Sequence, residues 1–119
     1  DLFALTSDNE ASPVSILEAL SVCRPVVATQ VGSVPETVLV DQTGFLVPTG
    51  QPEPMAAAWL KVLTNRELGD RLGQNGRQRV VAHHSLQSMT NGYMDLIESI
   101  YLAKTQGKSF RANMSRPRR

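Results

Sequence analysis

The sequence predicts an α/β fold: about three short parallel strands with flanking helices, followed by a helical C-terminal half. Two observations support this prediction. In the first 50 residues, short apolar and β-branched runs of strand length alternate with helix-like segments, which is typical of a parallel sheet crossed by helices. From about residue 53 onward, apolar residues recur only at helical spacing. With 119 residues, 41% of them hydrophobic, the chain is long enough to pack one core.

Three segments of the first half have the composition of buried strands. Residues 2–6, LFALT, form a short apolar run. Residues 25–29, PVVAT, are rich in β-branched side chains, and residues 45–47, FLV, are apolar and follow a turn. Short strands that are apolar throughout indicate a parallel sheet that is covered on both faces.

Two helices are predicted between these strands. Ser12 can cap a helix whose first position is Pro13, and this helix should run to about residue 22, before Pro25 interrupts it. Ser33 and Glu36 have the spacing of a capping box, so we expect a single helical turn with the serine as its cap.

The second half of the chain has the pattern of three helices. Residues 53–63 place apolar side chains on one helical face. Asn65 can cap a helix that reaches about residue 82, and Ser85 can cap a last helix that reaches about residue 103.

Charge is divided unevenly along the chain. The net charge is +1, but residues 1–103 hold six bases and eleven acids, which give −5, while residues 104–119 hold six bases and no acid, which give +6. We expect residues 104–119 to be a basic, disordered tail. Such a tail could make a peripheral contact with an anionic membrane. Nucleic acid is not an expected partner, because Phe110 is the only aromatic residue of the tail.

Other features of the sequence bear on the cellular compartment and on whether the chain is part of a longer protein. The sequence contains no run of ~18 apolar residues, so no membrane span is predicted. No signal peptide is recognisable. A single cysteine, Cys23, rules out an internal disulfide and favours a cytoplasmic location. The sequence begins with Asp1 and an apolar run rather than with methionine, so we expect a piece of a longer protein.

The loop after the first strand and the helix that follows it each carry a glutamate. Glu10 lies in the loop, Glu18 lies in the helix, and seven residues separate them. A helix that starts after a strand presents free backbone N–H groups and a positive dipole end, which favour phosphate. Ligands of open α/β sheets bind at the carboxyl ends of the strands. The spacing therefore allows phosphate at the helix start, with the two glutamates holding hydroxyl groups on either side.

The segment SDNEASPVSILEALSVCRPVVATQVGSVPETV, with TGFLV after it, resembles the donor-binding segment of the retaining group 1 glycosyltransferases (family 4). The matching elements are Ser7, Glu10, Glu18-Ala19, residues 25–29, Gly32, Pro35-Glu36 and residues 43–47. The resemblance covers about residues 1–101. It implies the GT-B arrangement of two Rossmann-like lobes, in which residues 1–103 would be the C-terminal part of the donor-binding lobe. The N-terminal lobe would be a missing partner.

The resemblance also implies a role for each matching residue. Glu10 matches the glutamate at the donor sugar and is the catalytic candidate. Glu18 matches the glutamate that holds the ribose hydroxyls. Four residues match the helix start whose backbone amides meet the diphosphate: Ser12, Pro13, Val14 and Ser15. The implied reaction transfers a sugar from a nucleotide-diphosphate donor to an acceptor with retention, and it needs neither a metal ion nor a cofactor besides the donor substrate.

Two departures from the family pattern bear on activity and stability. The arginine and lysine that grip the diphosphate in the family lie upstream, and Arg24, the only base near the motif, is at the wrong end of the helix. We therefore expect this chain to be inactive by itself, although the parent protein is an enzyme. Cys23 stands where the family usually has glycine. A left-handed backbone is common after a helix, so either cysteine there costs on the order of 1 kcal/mol or the turn is built differently.

The last helix resembles the family helix that crosses back to the first lobe. Without that lobe, its face with Tyr93, Ile97 and Tyr101 would be exposed. We expect this face to promote self-association.

Other interpretations of the same residues stay open. Glu18 could be an ordinary polar residue of an amphipathic helix, and Glu10 a turn residue. His83 and His84 are adjacent, so they do not share a helix face, and a helix end explains them better than a metal site. For the whole chain, the alternative to a transferase is a non-catalytic module that binds a nucleotide or a partner protein. A nucleotide-sugar epimerase of the same fold is a third possibility.

Overall fold

The computed structural model describes residues 1–105. Its elements are β1 (Phe3–Leu5), α1 (Val14–Ser21), β2 (Val26–Thr29), α2 (Val34–Thr37), β3 (Gly44–Val47), α3 (Pro52–Leu63), α4 (Arg66–His83) and α5 (Leu86–Thr105). The predicted α/β class, with three parallel strands, flanking helices and a helical second half, is confirmed. The chain divides into two units, Asp1–Ser85 and a second unit that begins at Leu86.

The three strands form one parallel sheet in the order β1-β2-β3. The central strand, β2, is the most buried of the three, since all four of its residues are buried. Val26 pairs with Phe3 on one side and with Gly44 on the other. Because all strands run in the same direction, the segments that follow them leave from one edge of the sheet, which we call the carboxyl edge.

Alternate residues of β2 pack into different layers, as the two-residue period of a strand requires. Val26 and Ala28 belong to the core beneath α1 and α2, and Val27 belongs to the core beneath α3. Helix α4 contributes to both cores, through Val80 on the α1 side and Leu72 on the α3 side. The central strand is therefore covered on both faces, which explains why all four of its residues are buried.

Two glycines of α4 allow this helix to approach α1 closely. A Cβ atom at Gly73 would collide with the carbonyl oxygen of Cys23, and one at Gly76 would collide with Cδ2 of Leu20. By contrast, a Cβ at Gly69 of the same helix would make an ordinary contact, 3.6 Å from the carbonyl oxygen of Val62. Close packing is therefore required at two of these three glycines.

The end of α1 has the hydrogen-bond pattern of a Schellman motif. The N–H of Cys23 donates to the carbonyl of Leu20 at 3.1 Å, and the N–H of Arg24 donates to the carbonyl of Ala19 at 2.9 Å. Cys23 has a φ of 57°, so the left-handed backbone expected at this position is confirmed. A non-glycine residue thus occupies the position where glycine is most favourable.

Of the caps predicted from the sequence, the one at Asn65 is confirmed. Its Oδ1 accepts the N–H of Leu68 at 3.0 Å and begins α4. The cap predicted at Ser33 is wrong, because this residue precedes α2 but makes no side-chain cap. Its ψ of 2° is outside the extended range that aims a capping side chain at the helix. The hydroxyl instead donates to the carbonyl of Ala11.

The described part of the second unit is the single helix α5. None of its residues is buried, and Tyr93, Ile97 and Tyr101 are 60%, 60% and 67% exposed. The predicted exposure of this face is confirmed, and self-association through it stays a prediction. The basic tail expected from residue 104 lies, beyond Thr105, outside the described residues. Within residues 1–105, no helix is both long enough and apolar enough to span a membrane.

Candidate functional site

Two loops meet at the carboxyl edge of the sheet. One follows β1 and contains Ser7, Glu10 and Ala11, and the other follows β2 and contains Gly32 and Ser33. The Ser33 hydroxyl donates to the carbonyl of Ala11. A Cβ at Gly32, whose φ is 51°, would collide with the carbonyl oxygen of Glu10. The backbone of the loop that carries Glu10 is therefore held from the neighbouring loop.

The carboxylate of Glu10 is oriented by a second residue of its own loop. The Ser7 hydroxyl donates to Oε1 of Glu10 at 2.7 Å, and both residues are half-buried. Ser7 is in turn attached to β2, because the buried Thr29 hydroxyl donates to the Ser7 carbonyl at 2.5 Å. The sequence predicts the position of Glu10 in this loop, but no pattern in it indicates a structural role for Ser7 or Thr29.

The start of α1 differs from the prediction in one respect. Pro13 is the N-cap, with an extended ψ of 107°, so the helix begins at Val14 and the predicted cap by Ser12 is wrong. Because Pro13 has no N–H group, it cannot be one of the predicted amide donors. The N–H of Ile16 is 3.3 Å from the Pro13 carbonyl. Val14 and Ser15 therefore supply the first N–H groups of the helix that lack an intrahelical acceptor.

The open start of α1 can accommodate an anion. No side chain caps the helix, its first turn holds no acidic residue, and Val14 is 62% exposed. Free N–H groups and the positive end of the helix dipole favour a phosphate or carboxylate at such a position.

A groove runs along α1 beside the free edge of β1. Ser15 and Glu18, one turn apart on the helix, both line it, and its volume is about 490 Å³. This volume lies within the range of small-molecule sites. Arg24 and Asp1 line the far end, where Nη1 of Arg24 is 3.9 Å from Oδ2 of Asp1. The structure thus brings together two of the predicted site residues, whereas Glu10 is not among the residues that line this groove.

A second cavity, which no sequence pattern predicts, opens on the α3 side of the carboxyl edge. It measures about 450 Å³ and lies between the strand ends and α3, with Thr6, Asp8 and Thr29 on one side and Met55 and Trp59 on the other. The indole N–H of Trp59 is buried and has no acceptor among residues 1–105. The residues of this cavity come from three separate segments of the chain and share no motif, so no sequence pattern indicates it.

The histidine pair lies at the end of α4, as expected for a helix end. His83 is the last helical residue and His84 is the C-cap. Partial burial, the Arg79 guanidinium and the neighbouring His83 lower the pKa of His84, in that order of importance. In the part of the chain that the structure describes, no three His, Cys, Asp or Glu side chains are arranged to hold a metal ion.

Comparison with known sequences finds a family and several relatives. The model of the family "Glycosyl transferases group 1" matches residues 1–79. N-acetyl-alpha-D-glucosaminyl L-malate synthase of Bacillus anthracis is 26% identical over 91% of this chain and 28% of its own length. Sulfoquinovosyl transferase SQD2 of Arabidopsis thaliana is 33% identical over 66% of this chain and 16% of its own length. The chain therefore spans less than a third of the length of these relatives.

Comparison with solved structures shows the same fold. Sucrose-phosphate synthase of Thermosynechococcus elongatus superposes with a TM-score of 0.77 at 29% identity, covering 84% of this chain and 25% of that one. HepE of Anabaena, solved in complex with UDP, has a TM-score of 0.78 at 23% identity, covering 83% of this chain and 28% of that one. The predicted likeness to the GT-B fold is confirmed by these structures.

Proposed function

This chain belongs to the group 1 glycosyl transferases, and from that premise we propose that it binds the nucleotide-diphosphate sugar donor of a retaining transferase. The observation that carries the proposal is the uncapped start of α1, which follows β1 and lies between the loop of Glu10 and the groove of Glu18. An anion-binding helix start with a carboxylate on each side matches the parts of such a donor: a diphosphate, a ribose and a sugar.

Each site residue has one task in this proposal. The N–H groups of Val14 and Ser15 bind the diphosphate, and the dipole of α1 stabilises the negative charge that accumulates on it as the sugar leaves. Glu18 accepts hydrogen bonds from the ribose hydroxyls within the groove. Glu10 accepts hydrogen bonds from hydroxyls of the donor sugar, which positions the sugar for transfer with retention. Ser12, just outside the helix, borders the diphosphate.

The described residues alone do not complete such an active site. The groove along α1 includes one base, Arg24, and it lies at the end of the helix that is away from the proposed diphosphate. The negative charge of a leaving diphosphate is usually neutralised by arginine, lysine or a metal ion. We therefore propose that the chain by itself binds the donor but does not transfer the sugar. The cations and the acceptor site belong to the rest of the parent protein.

The same lack of a basic side chain near the proposed diphosphate favours a second candidate function, that of a non-catalytic module which binds a nucleotide or a partner protein. An arginine and a lysine before β1 in the parent sequence would support the transferase, and their absence would support the module. A cytoplasmic location and a membrane contact of the tail stay predictions.

The proposal can be tested by NMR titration of the ¹⁵N-labelled chain with UDP, GDP and UDP-glucose. UDP is a suitable first probe because a neighbour of the same fold was solved with it. We expect shifts confined to residues 10–18 and 30–36. Glu18→Gln should weaken nucleotide binding about tenfold, since it removes a charged acceptor of hydrogen bonds.

Glu53→Gln is the matched control, because Glu53 is an exposed acid in the first turn of α3. It removes the same charge without touching the groove, so it should leave binding unchanged. If Glu53→Gln and Glu18→Gln change binding to the same extent, the change does not come from a contact of Glu18 with the nucleotide, and the proposed site is wrong. If no nucleotide shifts any resonance of the folded chain at roughly millimolar concentration, the proposed donor site fails.

A further inference from the structure

We infer that Ser7 and Thr29 are positioning residues that fix the carboxylate of Glu10, and that Gly32 and Ser33 hold the backbone on which it stands. This inference rests on the proposed function for its consequence, the binding of the donor sugar. Its structural part concerns the ligand-free chain and can be tested separately.

The first contact sets the direction of the side chain. The Ser7 hydroxyl donates to Oε1 of Glu10 at 2.7 Å, the usual length of an O–H···O hydrogen bond. A glutamate in a loop has three rotatable bonds and would otherwise sample several rotamers. One bond from a residue of the same loop selects the rotamers in which Oε1 points toward Ser7, and leaves Oε2 available for another donor.

The second contact attaches Ser7 to the sheet. Thr29 is the last residue of β2 and is 4% exposed, and its hydroxyl donates to the Ser7 carbonyl at 2.5 Å. The register of the sheet explains why it reaches there. Leu5 pairs with Ala28, so the residue after Ala28 is level with the end of β1, where the chain turns into the loop. A hydroxyl from the most buried strand therefore anchors the residue that orients Glu10.

The third set of contacts holds the backbone of Glu10 itself. Gly32 packs so closely on the Glu10 carbonyl that any side chain would collide with it, and its φ of 51° is also unfavourable for other residues. The next residue, Ser33, donates to the carbonyl of Ala11. Two successive carbonyls of one loop are thus held by two successive residues of the other.

These contacts pre-organise Glu10 before any ligand is present. A side chain that is already fixed loses less conformational freedom when a ligand binds, so its hydrogen bonds contribute more to affinity. Ser7 does not contact the ligand in this arrangement. Its removal should therefore weaken only the part of the binding that Glu10 supplies, which in the proposed function is the sugar.

The first experiment needs no ligand. Three-bond couplings of Glu10 report whether its χ1 angle has one value or an average of several. We expect one rotamer in the native chain, averaging in Ser7→Ala, and one rotamer again in Ser7→Thr, which restores the hydroxyl. Ser99→Ala is the matched control, because the Ser99 hydroxyl donates at the same distance, 2.7 Å, to the Leu96 carbonyl in α5. An unchanged Glu10 rotamer in Ser7→Ala would overturn the inference.

The second experiment compares affinities for UDP-glucose and UDP, or for GDP-mannose and GDP if the chain prefers guanosine. Ser7→Ala should weaken binding of the nucleotide sugar about five- to tenfold and change binding of the nucleoside diphosphate less than about twofold. Thr29→Val, which keeps the shape of the side chain, should act in the same direction. Equal losses for both ligands would show a merely structural role for Ser7, and no loss would show no role.

The two experiments separate the possible failures. If the native chain binds none of these nucleotides, the proposed function fails, and the Glu10 rotamer still decides whether Ser7 positions it. If the native chain binds UDP-glucose or GDP-mannose but Ser7→Ala binds equally well, the positioning role fails and the proposed function stands. A Ser7→Ala chain that unfolds is replaced by Thr29→Val, which leaves the Ser7 hydroxyl in place and tests its anchor.

Discussion

The two ends of α1 satisfy their backbone groups in opposite ways. At its C-terminal end, the N–H groups of Cys23 and Arg24 complete a Schellman motif by donating to the carbonyls of Leu20 and Ala19. At its start, no side chain caps the helix, and Pro13 occupies the position where a capping residue would stand. Both ends of a helix are ordinarily capped, since an uncapped end lowers the free energy of unfolding by about 1 kcal/mol.

The difference indicates which end of the helix is structural and which is available to a ligand. The C-terminal end of α1 is packed against α4, where Gly73 touches the Cys23 carbonyl. The start lies at the carboxyl edge, where ligands of parallel sheets bind, and its donors are free for an anion. Substitutions at the end should therefore change stability alone, and substitutions at the start should change binding.

The largest expected effect is at the packed end. Gly73→Ala should lower stability by about 3 kcal/mol and the melting temperature by more than about 10 °C, because the added Cβ would collide with a backbone carbonyl that cannot move freely. Thermal unfolding followed by circular dichroism measures this change. Gly69→Ala is the matched control in the same helix, where a Cβ has room.

Gly69→Ala should raise stability by up to about 1 kcal/mol, since alanine has the higher helix propensity. The opposite signs of the two substitutions would separate packing from propensity. If Gly73→Ala leaves stability unchanged, α4 can move away from α1 at little cost. The proposed contrast between a packed and an open end of α1 would then fail.

The next effect compares the two ends directly. Val14 and Val22 are exposed to 62% and 63% and stand at the start and after the end of α1. Val14→Asp should stabilise the helix by about 0.5 kcal/mol through its dipole and weaken UDP binding about tenfold by repelling the diphosphate. Val22→Asp should destabilise the helix by a similar amount and leave binding unchanged.

Calorimetry with UDP and thermal unfolding together measure the four changes. Stability and binding move in opposite directions only if the same helix start serves both. Were Val14→Asp to leave UDP affinity intact, the diphosphate would have to bind elsewhere, and the open start of α1 would have no ligand.

The last expected effect is at Cys23. Cys23→Gly should raise stability by about 1 kcal/mol and the melting temperature by roughly 5 °C, because glycine adopts the left-handed backbone without strain. UDP binding should not change. Cys23→Ser is the control that removes the thiol but keeps the Cβ, and it should give no gain. A gain with serine equal to that with glycine would assign the effect to the thiol instead of to the backbone.

Much of this molecule could be predicted from local sequence. The apolar run at residues 25–29 predicts β2, and Asn65 predicts the start of α4. Each of these depends on neighbours within a few residues, which is the range over which helix caps and strand patterns act. The spacing of Glu10 and Glu18 placed both near the start of α1 for the same reason.

The remaining features depend on residues that are distant in sequence. Ser12 and Ser33 have the local pattern of caps, but Pro13 takes an extended ψ and the Ser33 hydroxyl turns to Ala11, in a loop that only the parallel pairing of β1 with β2 brings near. The anchoring of Ser7 by Thr29 likewise requires the sheet register.

The sequence by itself therefore determined the class of fold, the order of its elements and the two candidate carboxylates, because composition and periodicity are local properties. Tertiary structure alone decided which serine orients Glu10, where Gly32 and Gly73 permit close contact, and which end of α1 is left open. These depend on distances between separate elements, and a hydroxyl or a missing Cβ acquires its role only when the partner atom has been brought within reach.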